Sequence, residues 1–253
     1  MYSRDGAVRV FFVGIWGTIM RAILAAILAV FLAAPAMAQE PGGISTTAIS
    51  RCAGRAGLDA RQADSAFGVI MLDGMPWLTT EEIDEQVGLQ KATMAVTGTG
   101  WMRRRNGSQV PIRFTCMLDG KGQALMFHAH KLLPGVRDGL GPARLLMGSV
   151  TYAEKMALPR GAELRVQLRD GATILAEQVV RSGWAVPIPF ALRLPQDAPL
   201  QDRKLSLTAS LVLDHQTLFQ LGEPLALEGD ALRQADMHLP NELVLRRVQT
   251  SKR

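Results

Sequence analysis

Residues 163–169 read Glu-Leu-Arg-Val-Gln-Leu-Arg, so polar and apolar side chains alternate at every position. Successive side chains of a strand point to opposite faces, and this stretch therefore predicts a strand with one buried and one solvated face. Residues 205–213 alternate in a similar way, and the turn pairs Asp170-Gly171 and Asp214-His215 follow the two stretches. Six to eight short strands with frequent turns over residues 147–248 predict an antiparallel β-sandwich or small barrel.

The preceding part of the sequence has a different pattern. Residues 46–63 carry apolar side chains at spacings of three and four, which predicts a helix. Residues 92–102, 110–118 and 123–130 are typical of strands, and the Asn-Gly and Asp-Gly turns between them predict a three-stranded meander. Ahead of the meander, residues 80–83 place two acids where the first turn of a helix favours negative charge, which predicts a short helix start.

Two folded units are therefore expected in a mostly β protein. Residues 46–133 form the first, a small α+β unit with a helix and the meander. Residues 147–248 form the second, the sandwich or barrel. Between them, residues 134–142 are rich in proline and glycine, which is typical of a linker.

The sequence has two cysteines, Cys52 on the predicted helix and Cys116 on the middle strand of the meander. In an oxidising compartment an even pair favours a disulfide, and two buried reduced thiols are the alternative. A bridge would hold the helix against the sheet. No Cys-x-x-Cys motif occurs, so the sequence gives no support for thiol–disulfide catalysis.

The N-terminal residues have the pattern of a secretory signal peptide. Arg21 precedes an apolar run from Ala22 to Leu32, and an Ala-x-Ala cleavage motif ends at Ala38. Residues 1–38 are therefore expected to be cleaved off, leaving the mature protein in the periplasm or secreted. Met20 is a second candidate for the start of translation.

An uncleaved inner-membrane anchor is the alternative, because residues 8–38 are long and apolar. The residue directly after the cleavage motif is Gln39 rather than a cysteine, so no lipid anchor is predicted. Removal of residues 1–38 takes away three arginines and one aspartate, which leaves 25 basic and 22 acidic residues and a net charge of +3. This charge is too small to indicate nucleic-acid binding.

Three short motifs in the C-terminal half form a recognisable series: Gly148-x-Val150-x-Tyr152, Ala157-Leu158-Pro159 and Pro187-Ile188-Pro189-Phe190. Together with the alternating run between them, they resemble the YbaY-like lipoprotein family, which is similar to the YscW-type chaperones (pilotins) of type III secretion. The resemblance covers roughly residues 147–248. It implies an envelope β-sandwich domain without catalysis and, in the pilotin branch, a protein that helps an outer-membrane secretin to assemble.

This protein departs from that family in two respects. It lacks the cysteine that would accept a lipid, and it has the additional cysteine-containing N-terminal unit.

Two groups of residues are candidates for binding. Trp101 with Arg103, Arg104 and Arg105 lies beside a predicted hairpin turn, and aromatic and cationic side chains together suit an anionic glycan or lipid headgroup. The alternative is a solvated turn beside one core tryptophan. Trp184 precedes the Pro-x-Pro-Phe motif and is a candidate contact for a protein partner; the alternative is an edge strand whose prolines block pairing.

Metal binding and catalysis have little support in the sequence. His128-x-His130 places two imidazoles on one strand face, but no spacing supplies further ligands, so no metal or cofactor is predicted. The nucleophile-elbow, zinc-peptidase and phosphate-loop motifs do not occur, and the protein is expected not to be an enzyme. The predicted function is a chaperone or assembly factor for an outer-membrane or secretion component. The alternative is a binding module for an anionic envelope glycan or lipid headgroup.

Overall fold

One α-helix, fourteen strands and a short 3-10 helix at Ala231–Arg233 account for the regular structure of the residues that a computed structural model describes, which are 41–63, 67–132, 143–154, 156–182, 186–233 and 236–248. The predicted signal peptide and linker lie outside these residues, as does Trp184. From Pro41 onward the protein forms one compact unit.

Helix α1 is longer than expected and spans Pro41–Ala63. The strands have the following bounds: β1 Phe67–Asp73, β2 Thr79–Val87, β3 Gln90–Arg104, β4 Gln109–Asp119, β5 Ala124–Lys131, β6 Ala143–Tyr152, β7 Glu163–Asp170, β8 Thr173–Ser182, β9 Ile188–Pro195, β10 Lys204–Leu213, β11 Gln216–Leu221, β12 Leu225–Glu228, β13 Met237–His238 and β14 Leu243–Arg247. The predicted mostly β fold class, the leading helix and the β3–β4–β5 meander are confirmed.

All fourteen strands belong to one hydrogen-bonded sheet. Its main path runs β13-β6-β14-β11-β10-β7-β8-β1-β3-β4-β5, while β12, β2 and β9 pair with β10, β3 and β6. Most pairs are antiparallel, but β6 runs parallel to the short strands β13 and β14. The sheet is therefore mixed, because β13 and β14 run in the same direction as β6.

Residues 80–83 do not begin a helix, as the acidic pattern predicted, but lie within strand β2. A hairpin turn with Gly88 at positive φ follows β2, and seven residues of β2 pair with β3. Tertiary pairing with β3 thus outweighs the local preference of the acids for a helix N-terminus. The exposed acids of β2 lie on the last strand at this margin of the sheet, where charge discourages pairing with other polypeptides.

Strand β1 joins the two predicted units. Its residues from Val69 to Asp73 pair with β8, and its opposite edge pairs with β3. The sheet is therefore continuous from the meander into the C-terminal strands, with the backbone hydrogen bonds of β1 satisfied on both sides.

The two faces of β1 contribute to two different cores. Met71 packs into the larger core, with buried side chains of β6–β11 such as Leu146, Leu164 and Phe190. Ile70 and Leu72 pack into the smaller core, which lies between the sheet and helix α1. Alternate side chains of a strand point to opposite faces, so β1 contributes buried side chains to both cores.

Polar side chains cap the backbone of β9 on the side away from β6. The buried side chain of Gln178 on β8 accepts from the N–H of Ala191 at 2.9 Å and donates to its carbonyl at 2.8 Å. The indole N–H of Trp77 donates to the carbonyl of Arg193 at 2.6 Å. Gln178 also donates to Asp73 at 2.9 Å, so buried polar groups, rather than another strand, satisfy this part of β9.

The predicted disulfide between Cys52 and Cys116 is present, and it links α1 to β4. The helix buries mostly small side chains beside the bridge, namely Ala48, Ala53, Ala56 and Ala60, together with the larger Ile49. Small side chains allow the helix to lie close to the sheet. In the described part of the protein, no helix has the length and apolar character needed to cross a membrane.

Candidate functional site

A polar groove lies on the outer face of the sheet, across strands β7, β10 and β11. Its cavity has a volume of about 170 Å³ and is lined by Arg165, Gln167, Thr208, Ser210, Val212, His215 and Thr217. The register places Ser210 opposite Arg165 and Thr208 opposite Gln167. Cross-strand partners share a face, so these side chains come together directly from the antiparallel pairing.

The turn between β10 and β11 supplies the end of the groove. Asp214 and His215 both have positive φ, as a two-residue turn of the hairpin type requires. The turn brings the His215 ring to helix α1, where Nη2 of Arg51 lies 3.4 Å from Nε2 of His215 with the guanidinium as donor. Helix α1 therefore contributes a second arginine beside the groove.

A buried ion cluster supports the groove from the side of α1. Nη2 of Arg165 lies 2.7 Å from Oε1 of Glu163, and the hydroxyl of Ser50 donates to the same oxygen at 2.6 Å. Nη2 of Arg181 lies 3.7 Å from the other oxygen, Oε2. The Glu163 side chain is 5% exposed; two arginines balance its charge, and the Ser50 hydroxyl donates a hydrogen bond to it.

A second carboxyl, Glu177, lies behind Gln167. Burial raises the pKa of Glu177 above its ordinary value, while hydrogen bonds from Gln167 and Thr46 act in the opposite direction. Nε2 of Gln167 donates to Oε1 of Glu177 at 2.7 Å. This contact fixes the amide so that its oxygen accepts from Nε of Arg169, at 3.2 Å.

The residues that line the groove carry cationic and hydrogen-bonding groups but no carboxylate. Glu163 and Glu177, the two acids behind the groove, are buried and engaged by protein groups, while Asp214 is exposed in the turn beside His215. The groove is therefore suited to hold an anionic or hydrogen-bonding group.

The candidate residues Trp101 and Arg103–Arg105 are divided between the two faces of β3 and the turn that follows it. Trp101 is partly buried and packs against the larger core. Arg103 and Arg104 are successive residues of β3 and point to opposite faces, and Arg105 lies in the following turn. The interpretation of Trp101 as a largely structural residue thus fits its packing, and binding of an anionic ligand by the three arginines stays a prediction.

The two histidines of β5 lie near each other on the strand. The rings of His128 and His130 have centroids 6.5 Å apart. Within the described ranges, no group of three or more histidine, cysteine, aspartate or glutamate side chains is arranged to hold a metal ion.

Sequence reasoning did not identify the groove. Arg165, Gln167, Thr208 and Ser210 were visible only as the polar half of two alternating strands. Such positions are usually a solvated strand face, and the sequence alone does not say that β7 pairs with β10 or that α1 reaches His215. The alternating pattern marks these residues as one polar strand face. The strand register that brings them together in a groove cannot be read from the sequence.

Comparison with known proteins bears on the C-terminal half. Residues 142–239 match the family described as type III secretion system lipoprotein chaperone (YscW). This match confirms the predicted resemblance to YscW-type chaperones over that segment; the narrower YbaY-like assignment stays a prediction. All seven residues that line the groove lie within the matched segment.

A solved structure of an alternative pilotin from the type II secretion system of Vibrio cholerae is also similar. It is 24% identical, covers 43% of this protein and all of the pilotin, and superposes with a TM-score of 0.37. No curated protein matches the sequence.

Proposed function

We propose that this protein is a non-catalytic envelope chaperone that binds a component of the outer membrane or of a secretion system during assembly. The observation that carries the proposal is the match of residues 142–239 to a family of secretion chaperones. A secretin-type outer-membrane protein is the client that this family description favours.

The groove supports the same function as a place for the client. It lies within the matched segment, on a sheet face braced by the ion cluster at Glu163 and by helix α1. A rigid, open and polar surface suits reversible contact with another protein, because little conformational entropy is lost when the partner binds. The proposed location is the periplasm, with the N-terminal segment cleaved; retention of that segment would place the protein on the inner membrane.

In-cell photo-crosslinking from the groove tests this function. A photoreactive amino acid replaces Thr217, which is exposed at the groove, in the tagged full-length protein. The matched control has the same amino acid at Arg233, an exposed position outside the groove lining. We expect one dominant outer-membrane or secretion component to be crosslinked from position 217 and identified by mass spectrometry.

The control decides how a product is interpreted. A component captured equally from both positions reflects abundance rather than binding at the groove. The absence of any envelope protein crosslinked from position 217 or co-purified with the protein would contradict the proposed function.

A further inference from the structure

We propose that the groove across β7, β10 and β11 binds a carboxylate of an extended, acidic peptide segment. The inference rests on the proposed function, because it names the chemistry that the client presents at this groove. The carboxylate belongs either to an aspartate or glutamate side chain or to the C-terminus of a polypeptide, two sources with the same recognising chemistry.

The size of the cavity limits the ligand. A volume of about 170 Å³ is well below the roughly 300–1,000 Å³ of pockets that enclose a drug-sized molecule or cofactor. The groove is therefore large enough for one side chain or one terminal carboxylate, with the rest of the ligand lying along the sheet. A peptide satisfies this requirement because only one of its groups needs to enter.

The charges around the cavity select an anion. Glu163 and Ser50 engage Nε and Nη2 of Arg165, and neither of these contacts occupies its remaining nitrogen, Nη1. Arg51 lies at the His215 end, where its guanidinium contacts a ring nitrogen of His215 and no carboxylate is part of that contact. Glu163 and Glu177 are buried behind the lining, and the exposed Asp214 lies in the turn beside His215 and is not a lining residue. Within the groove, an entering carboxylate therefore meets the guanidinium of Arg165 and no other carboxylate.

The remaining lining groups suit a peptide better than a free inorganic ion. Thr208, Ser210 and Thr217 present hydroxyls from adjacent strands β10 and β11. Hydroxyls donate and accept, so they can meet both the N–H and the C=O of a peptide backbone. An inorganic anion would use the arginines and leave the acceptor capacity of these hydroxyls to water.

Three synthetic tripeptides with a blocked N-terminus distinguish the possible ligands, with residues 39–253 as the protein. One has a central glutamate and a C-terminal amide, one has only glycines and a free C-terminus, and one has a central glutamine and an amide. Titrations followed by NMR chemical shifts report both affinity and position. Inorganic phosphate is the additional probe for a free anion.

We expect saturable shifts at Ser210, Thr217 and the Arg165 side chain with at least one carboxylate peptide, and about tenfold weaker binding of the glutamine peptide. A tenfold loss is the size expected when one charge-assisted hydrogen bond is lost. Preference for the first peptide identifies a side-chain carboxylate, and preference for the second identifies a C-terminus. Equal binding of the glutamine peptide, tighter binding of phosphate, or shifts outside the groove would overturn the inference.

The variants Arg51→Gln and Arg165→Lys test the named groups. The second keeps a positive charge beside Glu163, so the buried ion pair is retained while the forked donor is lost. Each is expected to weaken carboxylate binding about tenfold, with Arg233→Gln as the control that leaves it unchanged. If neither variant changes the affinity while both remain folded, the groove is not the site.

The peptide experiment and the crosslinking experiment fail separately. A client crosslinked at position 217 without any carboxylate-peptide binding would overturn the inference and leave the proposed function standing. Binding of a carboxylate peptide without any crosslinked client would overturn the proposed function and leave the inference about the groove standing.

Discussion

At the scale of single residues, Asp73 shows how a buried acid can serve the fold. It lies at the end of β1, where the hydroxyl of Thr99 donates to one carboxylate oxygen at 2.9 Å and Gln178 donates to the other. Burial raises the pKa of Asp73, against the opposite effects of these hydrogen bonds and of Arg193. Its carboxyl group positions Gln178, which in turn holds Ala191 of β9.

The raised pKa of Asp73 predicts that the folded protein loses stability as pH rises. Above the ordinary pKa near 4, the unfolded state has released this proton while the folded state still holds it. The free energy of unfolding therefore falls as pH increases from about 4 through the raised folded-state pKa, and Glu177 contributes in the same direction. Asp73→Asn should flatten this slope, as measured by urea unfolding across the pH range.

The exposed acid Glu82 provides the control, because Glu82→Gln changes the same charge without a buried partner. An unchanged slope in Asp73→Asn would mean that Asp73 does not hold its proton preferentially in the folded state.

Gly100 predicts a steric effect at a second residue of the same region. A Cβ at this position would lie 2.2 Å from the carbonyl oxygen of Met71, which is backbone and cannot move aside cheaply. Gly100→Ala should therefore lower the unfolding free energy by about 2 kcal/mol or more. Gly57→Ala, in the helix with open space around its Cβ, should raise it by about 1 kcal/mol. Thermal unfolding of both variants checks the sign, and a neutral Gly100→Ala would contradict this account.

At the scale of elements, strands with strict alternation were predictable and the other elements were less so. β7 and β10 follow from their own patterns, as does α1 from its three-and-four spacing. The acids of β2 fit the first turn of a helix, and only the pairing of β2 with β3 decides for a strand. The parallel pairing of β6 with β14 joins segments about 90 residues apart, which a local pattern does not encode.

Helix α1 depends on its disulfide more than a helix with large buried side chains would. Its buried face consists mainly of alanines, and the Cys52–Cys116 bridge closes a separation of 64 residues. Replacing both cysteines with alanine should lower the unfolding free energy by about 4 kcal/mol in the chain-entropy account. The loss should appear first in α1, as faster amide exchange over residues 41–63 than over β7 and β10.

The double variant Ala48→Ser/Ala53→Ser changes the same helix face and keeps the bridge, so it serves as the comparison. Full protection of α1 in the cysteine-free protein would show that packing alone holds the helix.

At the scale of the whole molecule, the sheet unites what the sequence divided into two units. The β1–β8 ladder and the shared position of β1 in both cores make the predicted C-terminal unit part of a larger body. The sequence could indicate a proline- and glycine-rich linker, but it could not indicate that β1 crosses over to pair beyond it. The contact of α1 with the end of the groove was unpredictable for the same reason, since Arg51 reaches His215 of the β10–β11 turn only after the two parts have joined.

This continuity predicts that residues 143–248 are a poor independent domain. Without β1 and α1, the fragment loses the pairing along one edge of β8 and the cover over Val179. We expect it to be less stable than residues 41–248 by about 3 kcal/mol, which lowers its melting temperature by roughly 10–20 °C. Circular dichroism melting of the two fragments makes the comparison. Equal melting temperatures would show that the C-terminal strands are self-sufficient.

The β1–β8 pairing also means that β1 is synthesised well before the strand it pairs with. Val69 leaves the ribosome about 110 residues before its partner Ser182, a delay of roughly 6–20 s at about 5–20 residues per second. Throughout that interval a largely apolar strand has no neighbour on one side and is open to aggregation. Either a chaperone that shields this strand or export before folding would protect the newly made polypeptide during this interval. A protein that is itself proposed to be a chaperone thus has an unprotected strand edge early in its synthesis.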